Sequence, residues 1–140
     1  MLKKIAHRIL DFKSLKNIPK DIGIEFDVHS YGENLVITHD AFCDGIHFEQ
    51  FIGKTDNRFL AVNIKEEGIE ERVLDFLLKI NHSNFFLFDV SVPQIFRLGK
   101  KHSNHLAFRI SQIEKIDYEY CRKFARYIWL DTFDGSFWPK

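Results

Sequence analysis

Glu25 and Asp27 stand two residues apart within residues 23–40, which read Gly-Ile-Glu-Phe-Asp-Val-His-Ser-Tyr-Gly-Glu-Asn-Leu-Val-Ile-Thr-His-Asp. Ile24, Phe26 and Val28 alternate with them, so an extended segment would put both carboxylates on one face and the apolar side chains on the other. A turn at Tyr31-Gly32-Glu33-Asn34 and a short apolar strand over residues 35–37 then bring the chain back with His39 and Asp40 at its end. Two carboxylates with a histidine beside them can hold a divalent cation through hard oxygen ligands and keep an acid/base group within reach. The same alternation also describes an ordinary hairpin with its acids in water. Taken alone, the stretch leaves both readings open.

The elements that must position these groups can be read along the chain. Residues 2–6, with Leu2, Ile5 and Ala6 apolar, end on His7-Arg8 and read as a first strand. Residues 14–20 are polar and broken by Pro19, enough for one helical turn and a loop. Residues 41–57 hold Asp44-Gly45 and Gly53, with Phe48, Phe51 and Ile52 at helical spacing, which predicts a loop and a short helix. Residues 59–65 read as a strand. Over residues 69–80, Ile69, Val73, Leu74, Phe76, Leu77 and Ile80 fall on one helical face and the charged residues on the other. Residues 85–90 read as an apolar strand that ends at Asp89 and Ser91. Pro93 suits the first turn of a helix that Gly99 would end. Residues 105–110 and 127–131 are further strands, with a helix over residues 116–126 between them.

Length and composition limit the function classes. A chain of 140 residues with 45% apolar residues and 15 Phe is expected to form one domain with an aromatic-rich core. Its 20 basic and 20 acidic residues cancel, and no run of like charge suggests a nucleic-acid footprint or a membrane-surface helix. No apolar run approaches the roughly 20 residues of a membrane span. Cys43 and Cys121 have no CxxC spacing and read as free thiols in a reducing compartment, so the expected location is cytoplasmic. There is no glycine-rich phosphate loop and no Gly-x-Ser-x-Gly elbow.

The order of strand, connection and strand, with several strands apolar throughout, predicts an α/β architecture of parallel strands covered by helices. Most of the strands end on polar groups: His7 and Arg8, Glu25 and Asp27, Asn63 and Lys65, Asp89 and Ser91, Arg109 and Ser111, and Asp131. In a barrel of parallel strands such groups collect at the C-terminal rim, where reactions take place.

Three blocks, Ile5-Ala-His-Arg8, Ile24-Glu-Phe-Asp-Val28 and Leu35-Val-Ile-Thr-His-Asp40, resemble the opening of the glycerophosphodiester phosphodiesterases. These belong to the superfamily of barrel phosphodiesterases that includes phosphatidylinositol phospholipase C. Leu60-Ala-Val-Asn-Ile-Lys65, Phe85-Phe-Leu-Phe-Asp89, Arg109-Ile-Ser-Gln-Ile-Glu114 and Ile128-Trp-Leu-Asp131 extend the resemblance to a compact, mostly uncharacterised bacterial branch. It implies a TIM-barrel-like phosphodiesterase fold, here with about six of eight strands. Either the chain is C-terminally truncated, or the barrel is open and a second copy covers its edges. His7 and His39 would be the general acid/base pair. Glu25, Asp27 and Asn63 would hold Mg2+ or Ca2+, and Arg8 and Lys65 would bind the phosphate. Ile9 and Asn63 stand where many members have glycine and an acidic ligand. The implied activity is metal-dependent hydrolysis of a small phosphodiester, glycerophosphodiester-like or linked to a glycan or lipid, with cyclisation as a variant. The alternative is a non-catalytic, degenerate module that binds phosphate or serves structure.

Overall fold

The computed structural model describes residues 3–114 and 116–135. Leu2 of the expected first strand, and the chain end beyond Gly135, lie outside them. The elements follow in the order β1 (Ile5–Ala6), α1 (Phe12–Asn17), β2 (Gly23–Tyr31), β3 (Asn34–Ile37), β4 (Ile46–His47), α2 (Phe48–Ile52), β5 (Leu60–Ile64), α3 (Glu70–Lys79), β6 (Phe85–Phe88), α4 (Val92–His102), β7 (Ala107–Ile110), α5 (Tyr118–Cys121) and β8 (Tyr127–Leu130). A single 3-10 turn over Ser103–His105 joins α4 to β7.

A mixed, six-stranded sheet runs in the order β4-β3-β2-β5-β6, with β1 also paired to the start of β2. Strands β1, β2, β5 and β6 are parallel, and β3 and β4 are antiparallel additions. Strands β7 and β8 form a separate parallel pair, which adjoins β6 through an isolated bridge between Leu87 and Leu106. The expected barrel, whole or interrupted, is therefore wrong: these are two open sheets. The parallel α/β pattern was readable because it is local, whereas closure depends on which edges meet. Here the β2–β3 hairpin turns back through Gly32, at φ +58°, and places β3 and β4 on one edge. The expected count of about six barrel strands left out the hairpin strand expected over residues 35–37, here β3, and did not foresee β4.

Alternation along β2 fixes the two faces of the main sheet. Ile24, Phe26 and Val28 point into a core shared with Val62, Leu87 and Phe108 and with helix residues Phe48, Phe51, Val73, Leu77, Ile95 and Leu98. The other face carries Glu25, Asp27 and, on the neighbouring strands, Ala61, Phe86 and Phe88. There the aromatic rings close on themselves: Trp129 stacks on Phe88 at 4.2 Å between centroids, and Tyr127 on Phe86 at 4.8 Å. Trp129 thus packs this face through its stack on Phe88.

The helices depart from their expected ends for visible reasons. Helix α3 loses one residue at each end of 69–80. Helix α5 covers only Tyr118–Cys121, starting where the Asp117 carboxylate accepts from the Tyr120 N–H at 3.1 Å. Helix α4 runs through Gly99 instead of stopping there. Gly99 is needed for contact: a Cβ would lie 2.3 Å from the Phe124 carbonyl oxygen and 2.8 Å from its Cα. Gly99→Ala must push backbone against backbone, and overpacking of this kind costs about 1–3 kcal/mol. Urea unfolding should show a free energy of unfolding lowered by that amount, with a correspondingly lower midpoint. An unchanged midpoint would refute the close approach.

Candidate active site

Strand β2 supplies the centre of the site. Its parallel register with β5 sets Glu25 opposite Ala61 and Asp27 opposite Asn63. Both carboxylates are almost fully buried, Glu25 at 1% and Asp27 at 2% exposure. Buried carboxylates require hydrogen bonds or opposite charge, and each finds a histidine. The turn after β1 lays His7 Nε2 3.4 Å from Glu25 Oε2. The segment after β3 lays His39 Nδ1 2.7 Å from Asp27 Oδ2. A carboxylate accepts, so Nδ1 of His39 carries the proton and Nε2 is left to take or give one. Both histidines keep one side in solvent.

The backbone around His7 is specialised. Arg8 has φ +59°, a left-handed conformation uncommon for a residue with a side chain. This turn aims the Arg8 N–H at Glu25 Oε2, 2.7 Å away, and the Ile9 N–H at the Glu25 carbonyl, 2.8 Å away. Ile9 is buried in the core. The strained residue is therefore Arg8, and the isoleucine after it acts as an anchor. The Arg8 guanidinium makes no ion pair among the described residues. Lys65, at the end of β5, places Nζ 3.6 Å from Asp27 Oδ1.

Burial pushes the Glu25 carboxyl up from its ordinary value, and the nearby Asp27 adds to this. The Arg8 N–H bond, His7 and Asn63 pull in the opposite direction without cancelling it.

Glu25, Asp27 and Asn63 also bear on metal binding. Asn63 is 7% exposed and its Oδ1 is buried with no hydrogen-bond partner. An orphaned amide oxygen next to two carboxylates suits a hard cation. Asp27, however, already has one oxygen on His39 and the other near Lys65. Among the described residues no three His, Cys, Asp or Glu side chains are grouped as metal ligands. The available donor set is two acids and an amide.

All seven sequence-derived site residues thus come to one end of the parallel strands, where β1, β3 and β5 give way to loops. Sequence reasoning missed what stands behind them. His29, 5% exposed, has Nε2 3.3 Å from the His39 carbonyl and Nδ1 3.7 Å from Glu66 Oε2, and so holds the His39 segment from below. Its signal was there: Glu25, Asp27 and His29 share one face by alternation. Arg109, in the sequence only one of the polar groups at strand ends, bridges Asp89 and Asp131. Burial acts to lower the Arg109 pKa, but the Asp89 bond and the charges of Asp89, Asp131 and Glu114 outweigh it and the net shift is upward. Two spaces adjoin this network. A cavity of about 160 Å3 is lined by Lys65, Glu70 and Ser91, and a cleft of about 610 Å3 shares Ser91 and Asp89 with it and continues over Val92, Ile95 and Phe108.

A carboxyl whose pKa is raised on folding binds its proton more tightly in the native state. Its ionisation opposes folding above the unfolded pKa, and the loss grows until the folded pKa is passed. Glu25→Gln should therefore be more stable than the parent near neutral pH, and the difference should vanish below the ordinary carboxylate range. Melting temperatures of both proteins across pH 3 to 8 check this; a mutant that loses stability at neutral pH would show that Glu25 is held by its partners more than it is penalised by burial.

Comparison with known protein families, with curated proteins and with solved structures finds no match to this chain.

Proposed function

We propose that the protein is a metal-dependent phosphodiesterase that uses His7 and His39 as an acid/base pair. The observation that carries this reading is the pairing of each half-exposed histidine with its own buried carboxylate on β2, His7 with Glu25 and His39 with Asp27. Two titratable rings held at separate points around one centre suit a reaction in which one proton is removed and another delivered. The resemblance of the His7-Arg8, Glu25-x-Asp27 and His39-Asp40 blocks to glycerophosphodiester phosphodiesterases adds to it.

In the forward reaction one histidine takes the proton of the attacking hydroxyl as its oxygen bonds to phosphorus. The other protonates the oxygen of the departing alcohol as that P–O bond breaks. The attacking hydroxyl is water in hydrolysis, or a neighbouring hydroxyl of the substrate in cyclisation. Asp27 fixes the tautomer and direction of the His39 ring, and His29 holds the backbone beneath it. Arg8 and Lys65 bring positive charge to the phosphate, Arg8 with a guanidinium able to contact two oxygens at once. Glu25, Asp27 and Asn63 would hold Mg2+ or Ca2+, which when bound offsets charge on the phosphoryl oxygens. The departing alcohol would lie toward the cavity beside Lys65 and Ser91.

A non-catalytic phosphate-binding module is the second reading, and one observation favours it: both Asp27 oxygens already have cationic or donor partners within the chain.

With Mg2+ or Ca2+ the protein should cleave a glycerophosphodiester or bis(p-nitrophenyl) phosphate, and chelator should stop it. His39→Ala and Glu25→Ala should each lower kcat/KM by about 100-fold or more, the scale of a lost acid/base group. Hydrolysis that survives both substitutions would sink the assignment. A folded protein that binds inorganic phosphate but neither binds metal by calorimetry nor turns over substrate would establish the module instead.

A further inference from the structure

A second cleft, of about 610 Å3, opens where β2 and β5 begin, at the opposite end of the sheet from the histidines. Its size falls within the roughly 300–1,000 Å3 typical of small-molecule sites. Helix α1 and the segment after it give it apolar walls in Phe12, Leu15, Ile18 and Pro19, and it is otherwise lined mostly by cations. Lys16, Lys20, Lys54 and Arg58 face a single acid, Asp56, whose carboxylate is 3.2 Å from Lys20 Nζ. The cleft thus has an excess of three positive charges, four cations against one acid.

Arg58 is the unusual member. It is 7% exposed, and no carboxylate lies within ion-pair distance of it among the described residues. Its two terminal nitrogens donate to the Pro19 and Ile18 carbonyls, each at 2.9 Å, and its Nε–H is buried without a partner. Those carbonyls lie at the C-terminal end of α1, so they accept the hydrogen bonds but do not neutralise the guanidinium. A buried cation normally has an anion beside it, because desolvation is otherwise uncompensated. The acid and amide oxygens of the catalytic end lie too far along the strands to serve.

We propose that this cleft binds a small amphipathic anion: an alkyl or aryl body on Phe12, Leu15, Ile18 and Pro19, with one carboxylate or phosphate drawn to Lys16, Lys54 and Arg58. The mixture of surfaces selects against the alternatives. A free inorganic anion would leave the apolar walls wet, and a neutral alcohol would leave the cations uncompensated. Metal ions are excluded by the sign of the charge. The site is separate from the proposed phosphodiesterase centre and stands whether or not that centre turns over substrate.

Decanoate, decyl phosphate, decanol, acetate and inorganic phosphate, each titrated into the full chain and followed by calorimetry and amide NMR, test the assignment. Decanoate or decyl phosphate should bind at least tenfold more tightly than decanol, acetate or phosphate, with shifts confined to α1 and residues 54–58. The relative affinity of the two amphiphiles decides which head group the site takes. Lys16→Gln with Lys54→Gln, both exposed, should weaken the preferred amphiphile about five- to tenfold while the melting temperature stays put, and raised salt should act in the same direction. Phe12→Ser should weaken the amphiphile and leave any inorganic phosphate affinity unchanged. Decanol binding as tightly as decanoate and decyl phosphate, or an affinity indifferent to the double lysine substitution, would overturn the proposal.

Discussion

Two carboxylates buried on the same face of one central strand set the terms for what surrounds them. Glu25 and Asp27 lie about 7 Å apart along β2, from the strand rise of roughly 3.3 Å per residue, and both are nearly inaccessible to water. Each ionised carboxylate removed from water costs several kcal/mol unless donors replace the solvent. The chain meets this with the Arg8 N–H and His7 on one side, and with His39 and Lys65 on the other. These four donors arrive from three strand ends, His7 and Arg8 from β1, His39 from β3 and Lys65 from β5. The site therefore exists only because β1, β3 and β5 all pair with β2, and the left-handed turn at Arg8 is the conformation that lets an N–H reach the acid. Backbone strain held at such a position is expected where the surrounding contacts over-determine it.

The same alternation that buries the acids also builds the core. Moving the β2 register by one residue would place Phe26 among the histidines and Asp27 among Phe48 and Phe51, so pairing is specified from both faces at once. Asp89 repeats the arrangement at the end of β6. It too has a positive φ, of 58°, and it too meets a cation, Arg109, which Asp131 holds from the end of β8. The link between the main sheet and the β7–β8 pair is thus polar at the strand ends and aromatic below, where Trp129 and Tyr127 stack on β6. A sheet whose continuity rests on one bridge at Leu87 is held there by side chains more than by ladder hydrogen bonds.

Much of this was legible in the sequence, and the part that was not has a physical cause. The period-2 pattern of residues 24–28 put both acids on one face because it is local; His7, His39 and Lys65 stood at strand ends, but which carboxylate each meets was not legible. His29 carried the same periodic signal, but a histidine with no ligand spacing to its neighbours gives no sign of which carbonyl it will bond. Arg109, Asp89 and Asp131 were expected on one rim, but their pairing was not legible because it joins residues from three strand ends. The barrel was misread for a related reason. Parallel strands with apolar faces look the same whether the sheet closes or stays open, and the difference here lies in two short antiparallel strands and an aromatic cluster that fills the inner face. Gly99 was misread because glycine ends helices and also admits close neighbours, and only Phe124, 25 residues on, decides between the two.

The segment between β1 and β2 touches both ends of the sheet, which raises the question of whether the two sites communicate. At one end Ile9 is hydrogen-bonded to the Glu25 carbonyl and Arg8 to its carboxylate. At the other the carbonyls of Ile18 and Pro19 are fixed by Arg58. Between them α1 begins with Asp11 accepting from the Ser14 N–H and hydroxyl, and Leu15 is buried to 3% exposure against the core. Coupling between distant sites needs an element with two arrangements that each site prefers differently. A short helix capped at its start, pinned at its end and seated by a buried leucine offers one arrangement. An anion at Arg58 would compensate a charge that is already in place without moving the carbonyls that hold it. The contacts of α1 thus offer no second arrangement through which an anion in the far cleft, as proposed, would act on the histidine centre, and the buried strand β2 lies between them.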